Sequence, residues 1–239
     1  MIRHVDLEKV LFLDIETVPG TQNFADLDEG WQSLWEDKSR YFREKDGTSL
    51  EDSYERAGVY AEFGKIVCIS VGYLRQSKGE RRYRTTSFYG HDEKQLLKEF
   101  ADLLNNHFNG RDNALCGHNI KEFDAPFIAR RMLVHGLHLP ELLDTAGKKP
   151  WEVNHIDTME LWKFGDYKHY TSLKLLTKLF GIPTPKDDID GSQVAQVYYE
   201  EGDVDRIEVY CRKDVLATAQ LLLRYRNEPL IEEDAVQNV

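Results

Sequence analysis

The segment Val10-Leu11-Phe12-Leu13-Asp14-Ile15-Glu16 constrains the fold more than any other stretch of this chain. Its continuous apolar run of β-compatible residues predicts a buried strand. The end of that strand carries two carboxylates at i and i+2, which leave a strand on the same face. Two acids on one buried face repel each other and are costly to desolvate. A shared proton, an arginine partner or a bound cation can resolve the conflict. One of the acids could instead cap a helix, but Pro19-Gly20 just downstream points to a loop. The spacing alone is weak, since Asp6 and Glu8 repeat it in a segment that reads as solvated.

The rest of the chain places that strand in an α/β architecture. Residues 65–74 and 81–90 read as two further strands joined by a polar turn, which predicts a hairpin. Residues 91–108 form an amphipathic helix with Leu96, Phe100, Leu103 and Leu104 on one stripe. A short buried strand follows at 113–118, then a helix over 124–137 with Pro126 in its first turn, where a missing N–H is tolerated. Residues 155–161 read as a strand entering a helix, and 171–183 as a helix ended by Gly181-Ile182-Pro183. Two more helices are expected at about 191–201 and 204–226, and then a frayed tail. Residues 21–62 interrupt the pattern with many acids and with Trp31, Trp35, Tyr41 and Phe42. They read as a surface insertion of short helices inside one domain spanning 1–239. The order of elements predicts a mixed five-stranded sheet flanked by helices, a hairpin on one side and right-handed crossovers on the other.

Composition narrows the function classes. With 41% hydrophobic residues in 239, the chain can build a core and is not a disordered sequence. It has no apolar run long enough for a membrane span, and its charged N-terminus lacks the apolar region of a signal peptide. Cys68, Cys116 and Cys211 match no metal-binding spacing and read as buried free thiols of a reducing, cytoplasmic compartment. A net charge of -11 argues against a plain nucleic-acid-binding module. It argues less against an enzyme that meets phosphates through divalent metals.

Three further acids stand at informative places. Tyr210 and Asp214 are four residues apart in the last helix, on a face shared with Ile207, Ala217 and Leu221. Tyr199 and Asp203 repeat the spacing, but Asp203 is simply placed to cap the last helix. Asp124 precedes Ala125-Pro126 at a helix start. It is either an N-cap or part of the kind of strand-to-helix junction where α/β sites collect. Carboxylates converging from a strand, a junction and a buried helix face suit a hard cation such as Mg2+ or Mn2+. The histidines offer no zinc set, and His135 and His138 read as surface residues.

These residues carry a resemblance. The segments "FLDIET", "NIKEFDAPFI" and "YCRKD" resemble, in order and separation, the three motifs of the DEDDy 3′–5′ exonucleases of the ribonuclease H-like superfamily. The flanks "EFGKIVCISVGY" and "HIDTMELW" are most similar to stand-alone relatives of the proofreading exonuclease domain of family B DNA polymerases. The resemblance spans about residues 8–226 and implies a ribonuclease H-like fold. It implies that Asp14, Glu16, Asp124 and Asp214 hold two divalent cations, Mg2+ or Mn2+, and that Tyr210 completes the catalytic set. Thr17, Asn119 and Phe123 would lie near the terminal nucleotide. The acidic insertion departs from the pattern and would serve as a lid, a strand guide or a surface for a protein partner.

The implied activity is hydrolysis of phosphodiester bonds at 3′ ends, of single-stranded DNA in preference to RNA. Two metal ions can supply both the nucleophile and the leaving-group stabilisation. Tyr210, with an ordinary pKa of about 10, would orient water by hydrogen bonding rather than act as a base. Lys121, Lys163, Lys168 and Arg212, with aromatic stacking, would grip the strand. The competing readings are an exoribonuclease similar to ribonuclease D, an aspartyl-phosphate phosphatase and a non-catalytic binding module. Glu16 weakens the phosphatase match, which wants a second Asp. With no polymerase region after residue 226, proofreading in cis is not expected.

Overall fold

The computed structural model describes residues 2–77, 79–166, 170–183 and 189–239. The chain begins with β1 (Val10–Pro19), then α1 (Glu29–Asp46), α2 (Leu50–Ser53), β2 (Gly64–Ser77) and β3 (Glu80–Tyr89). Next come α3 (Glu93–His107), β4 (Ala114–Gly117), α4 (Asp124–Val134), β5 (Ile156–Asp157) and α5 (Thr158–Lys163). The last elements are α6 (Leu173–Leu179), α7 (Val194–Gln196) running into a π turn (Val197–Glu201), α8 (Val204–Arg226) and β6 (Val236–Asn238). Among these residues no helix is long and apolar enough to cross a membrane.

The strand order is β5-β4-β1-β2-β3-β6. Strand β1 pairs antiparallel with β2 and β2 with β3, which forms the expected hairpin. On the other side β4 and β5 run parallel to β1 and to each other. Alternation along β1 divides the core. Leu11, Leu13 and Ile15 pack with Leu97, Phe100 and Leu104 of α3 and with Phe127, Ile128 and Met132 of α4. On the opposite face Val10 and Phe12 meet Val215, Ala219 and Leu222 of α8, while Val18 meets Ile207 and Cys211 of the same helix. Asp14 and Glu16 interrupt the apolar pattern between these two patches. The period of two that buries Phe12 and Val18 therefore aims both acids at α8.

The architecture is the expected mixed α/β sheet, with differences at its margins. It has six strands rather than five, because residues 236–238 pair parallel with β3. The tail is thus ordered rather than frayed: Val239 N–H donates to Thr85 O at 3.0 Å, and Ile231 and Gln220 exchange two hydrogen bonds of 2.8 Å. An edge strand leaves unpaired backbone groups, and here the tail satisfies them. Strand β1 does not end at Glu16 but continues to Pro19 past a register shift between Glu16 and Thr17.

The insertion also differs from expectation, since α1 is 18 residues long and not short. Its aromatics turn inward around Trp35, which is fully buried against Phe63 (5.0 Å between ring centroids) and Tyr54 (5.4 Å). The Trp35 indole N–H donates to Ser53 Oγ at 3.1 Å, so burying this polar ring leaves no donor unmet. Tyr41 stays outside, largely exposed.

Candidate active site

Strand β4 is short, and its brevity opens the site. It pairs with β1 only from Val10 to Phe12. The chain then leaves the sheet at Gly117, where a Cβ would come within 2.7 Å of Ile120 Cβ and 3.1 Å of Leu13 O. From Leu13 onward the β4-side edge of β1 has no neighbouring strand among the described residues. The carboxylate of Asp124 occupies part of the gap and accepts the Ile15 N–H at 3.2 Å. Asp124 is the first residue of α4 and lies after the cap position, held by Phe123. Its side chain is therefore not an N-cap but a replacement for a strand partner between the two acids of β1.

Helix α8 closes the other side. The Cys211 thiol lies 3.4 Å from Asp14 O and 3.7 Å from Asp14 Oδ2. Ligand atoms of Asp14, Glu16 and Cys211 all fall within 4.8 Å of one another. One turn along the helix, the Tyr210 hydroxyl hydrogen-bonds to Asp214. In β2, Cys68 faces Glu16 and Ser70 faces Asp14.

The electrostatics follow from this crowding. Burial first, then the charges of Asp124, Glu16 and Asp214, push the Asp14 carboxyl well above the usual range. Glu16 is pushed up in the same way by burial and then by Asp214, Cys68 and Asp124. Burial raises Asp124 to about 7, against the restraint of its backbone hydrogen bonds. Tyr210 is raised by burial and then by Asp214, Glu16 and Asp14, so it stays a neutral phenol. Asp14 is only half-buried, whereas Glu16 and Asp124 are 8% and 3% exposed, so the cluster opens on the Asp14 side. Hard oxygen donors that repel one another in a partly closed pocket fit a divalent cation. The Cys211 sulfur beside them is a softer donor, not the plain core thiol expected from its apolar sequence surroundings.

Asp157 belongs to the same neighbourhood and was missed in the sequence. It is 3% exposed and lies at the end of β5. Its carboxylate accepts the N–H groups of Asn119 (3.0 Å), Lys121 (3.2 Å), Met159 (3.0 Å) and Glu160 (3.1 Å). It thereby caps α5 and holds the turn leading to Asp124. The only signal was its place at a strand-to-helix junction, inside a segment noted as a flank.

The other expected residues are spread unevenly. Asn119 has a left-handed backbone (φ 71°), and its buried Oδ1 has no hydrogen-bond partner among the described residues. Phe123 packs its ring on Phe127, 5.5 Å away, and so leans into the core. Thr17 is half-buried on β1 just past the register shift. Two of the bases expected to grip a strand are already ion-paired: Lys121 with Glu160 at 2.6 Å and Arg212 with Glu208 at 2.9 Å. Lys168 lies outside the described residues. His135 is no plain surface residue, because it joins Arg131 in holding the buried Glu93, at 2.7 Å and 2.6 Å.

A mixed sheet with helices on both faces is similar to the ribonuclease H-like architecture of a polymerase exonuclease domain. The fold matches the structure of the family B DNA polymerase from the hyperthermophilic archaeon Pyrobaculum calidifontis with a TM-score of 0.56 and 16% identity. That match covers 90% of this chain but only 24% of the polymerase. The chain belongs to a family described as a predicted 3′–5′ exonuclease related to the exonuclease domain of PolB, whose profile matches residues 59–235. No curated protein matches the sequence.

Proposed function

We propose that this chain is a metal-dependent 3′–5′ exonuclease acting on single-stranded DNA, with residues 1–239 as one catalytic domain. The observation that carries the reading is the crowding of Asp14 and Glu16, whose ligand atoms lie within 4.8 Å of each other and of Cys211 on α8, with Asp124 bonded to the strand between them through the Ile15 N–H. Asp14, Glu16, Asp124 and Asp214 would hold two divalent cations, Mg2+ or Mn2+, which when bound supply an activated water and neutralise charge on the leaving oxygen.

The chain's own groups divide the remaining work. Tyr210 keeps its proton and offers it as a hydrogen-bond donor, so its part is to orient and not to abstract. Asp124 fixes the strand between Asp14 and Glu16 through the Ile15 N–H, which sets the spacing of those two carboxylates. Asp157 fixes the turn that carries Asn119. Thr17, on β1, and Phe123, just before α4, would lie near the terminal nucleotide. The kinship with a polymerase exonuclease domain favours DNA over RNA as the substrate.

The test uses 5′-labelled single-stranded DNA and RNA with Mg2+, Mn2+ or EDTA. A ladder shortening from the 3′ end of DNA, abolished by EDTA and by Asp14→Ala, is expected. Metal-independent cleavage, or full activity in Asp14→Ala, would overturn the mechanism. Faster degradation of RNA would overturn the substrate assignment.

A further inference from the structure

We propose that Tyr170 is a stacking platform for a nucleobase at the substrate's 3′ end, with the backbone beside it tied by His118 to the end of β4. The inference rests on the exonuclease reading above and adds a substrate contact to it. Tyr170 is 70% exposed, so its ring face is available to a ligand. Among the described residues it makes no ring contact with another aromatic, unlike Phe123.

Its position is fixed by its neighbour. His118 ends the segment leaving β4, immediately before Asn119. Its Nε2–H donates to the Thr171 carbonyl at 2.8 Å, which leaves Nδ1 to accept from the Thr158 hydroxyl at 2.9 Å. Both ring nitrogens are thus used, and the backbone beside Tyr170 is tied to the end of β4. Burial depresses the His118 pKa, which keeps the ring neutral and this pattern of one donor and one acceptor intact. Gly117, beside His118, lies so close to Leu13 O at the open end of β1 that a Cβ there would come within 3.1 Å, so this tie brings residue 170 to the side of the sheet where the carboxylates gather. In keeping with that, burial and then Asp124, Asp14 and Asp157 raise the Tyr170 phenol pKa.

The chemistry favours a base as the occupant. A single-stranded 3′ end presents an unstacked π-face next to the bond to be cut, and every base offers that face whatever its sequence. Lys121 and Arg212 are already paired with acids, so they have less charge to offer a phosphate. A surface of net charge -11 then needs a grip that does not depend on charge.

The experiment measures binding and turnover of single-stranded oligonucleotides carrying 2-aminopurine at the last or second-last position. Binding is followed by fluorescence in Ca2+ and in EDTA, and turnover in Mg2+. Tyr170→Ala should raise Kd and KM about tenfold or more, change kcat by no more than about twofold, and remove the quenching of one probe. Tyr170→Phe should behave as the wild type. An abasic 3′ end should weaken wild-type binding as much as Tyr170→Ala does, with no further loss when the two are combined. Wild-type Kd, KM and quenching in Tyr170→Ala, with the wild type degrading DNA, would overturn this role and leave the exonuclease reading intact. No degradation or binding by the wild type would overturn both.

Discussion

The Ile15 N–H donates to Asp124 Oδ1 over 3.2 Å, joining β1 to the start of α4 across 109 residues of sequence. The bond makes Asp124 an architectural residue as well as an acid. Asp124→Asn removes the charge and keeps an oxygen that can accept from Ile15. Asp124→Ala leaves a buried N–H without a partner, at a cost of about 1–3 kcal/mol. Both variants should lose nuclease activity. Urea denaturation in EDTA should find the alanine variant less stable than the asparagine variant by that amount, and equal stabilities would refute the structural part.

Metal removal should expose the repulsion among the acids. Asp14, Glu16 and Asp124 have raised pKa values in the folded chain. A group raised on folding binds more protons folded than unfolded, so it favours the fold at low pH and disfavours it as pH rises through its folded value. For Asp124 the window runs from about 4 to about 7. In EDTA, Asp14→Asn and Asp124→Asn should therefore melt higher than the wild type at pH 8, with the gap closing at pH 4. Saturating Mn2+ should raise the melting temperature of the wild type and much less that of the variants. Calorimetry across pH decides this.

Tyr210→Phe should lower kcat by about 10- to 100-fold, as expected for a lost positioning hydrogen bond. Because the phenol pKa is raised, the wild-type rate should show no limb assignable to this tyrosine up to pH 9.5. Isothermal titration with Mn2+ should give the variant near wild-type affinity. A tenfold loss of metal affinity would instead assign Tyr210 to holding the metal site.

His155 gives a pH effect of opposite sign. It is 6% exposed, neither ring nitrogen has a partner among the described residues, and burial lowers its pKa to about 4, with Lys121 and Lys148 adding to the effect. A depressed folded value means that the stabilisation is complete above about 6.5 and is lost as pH falls toward 4. The difference corresponds to about 3 kcal/mol. The stability of His155→Leu should lack this loss, so wild type minus variant should fall over that interval. A flat difference would show that the imidazole is protonated in place.

Residues close in sequence, or repeated at the period of an element, were legible before folding. The alternation of β1, the stripe of α3 and the i, i+4 pair in α8 each announce an element and the face it buries. Asp14, Glu16, Asp124 and Asp214 stood out because acids at buried positions violate a local pattern. Asp157 did not, because a carboxylate at a helix start already has an ordinary explanation. Cys211 looked like core because a thiol is compatible with core, and only the crossing of α8 under β1 sets it beside Asp14. The pairing of Lys121 with Glu160 and of Arg212 with Glu208 was hidden for another reason. Each pairing depends on side-chain directions that composition does not encode. The tail strand was missed because its partner β3 lies about 150 residues earlier.

The route of the chain through the site also orders its biosynthesis. Strand β1 leaves the ribosome early with Asp14 and Glu16, while Asp214 and Tyr210 arrive some two hundred residues later on α8. Until then the side of β1 that carries Val10, Phe12 and Val18 has no cover, and the cluster has neither its fourth acid nor its phenol. Domains fold as units once their parts are available. A nascent chain would thus lack a finished carboxylate cluster until its longest helix docks, and the docking that completes the core would also complete that cluster.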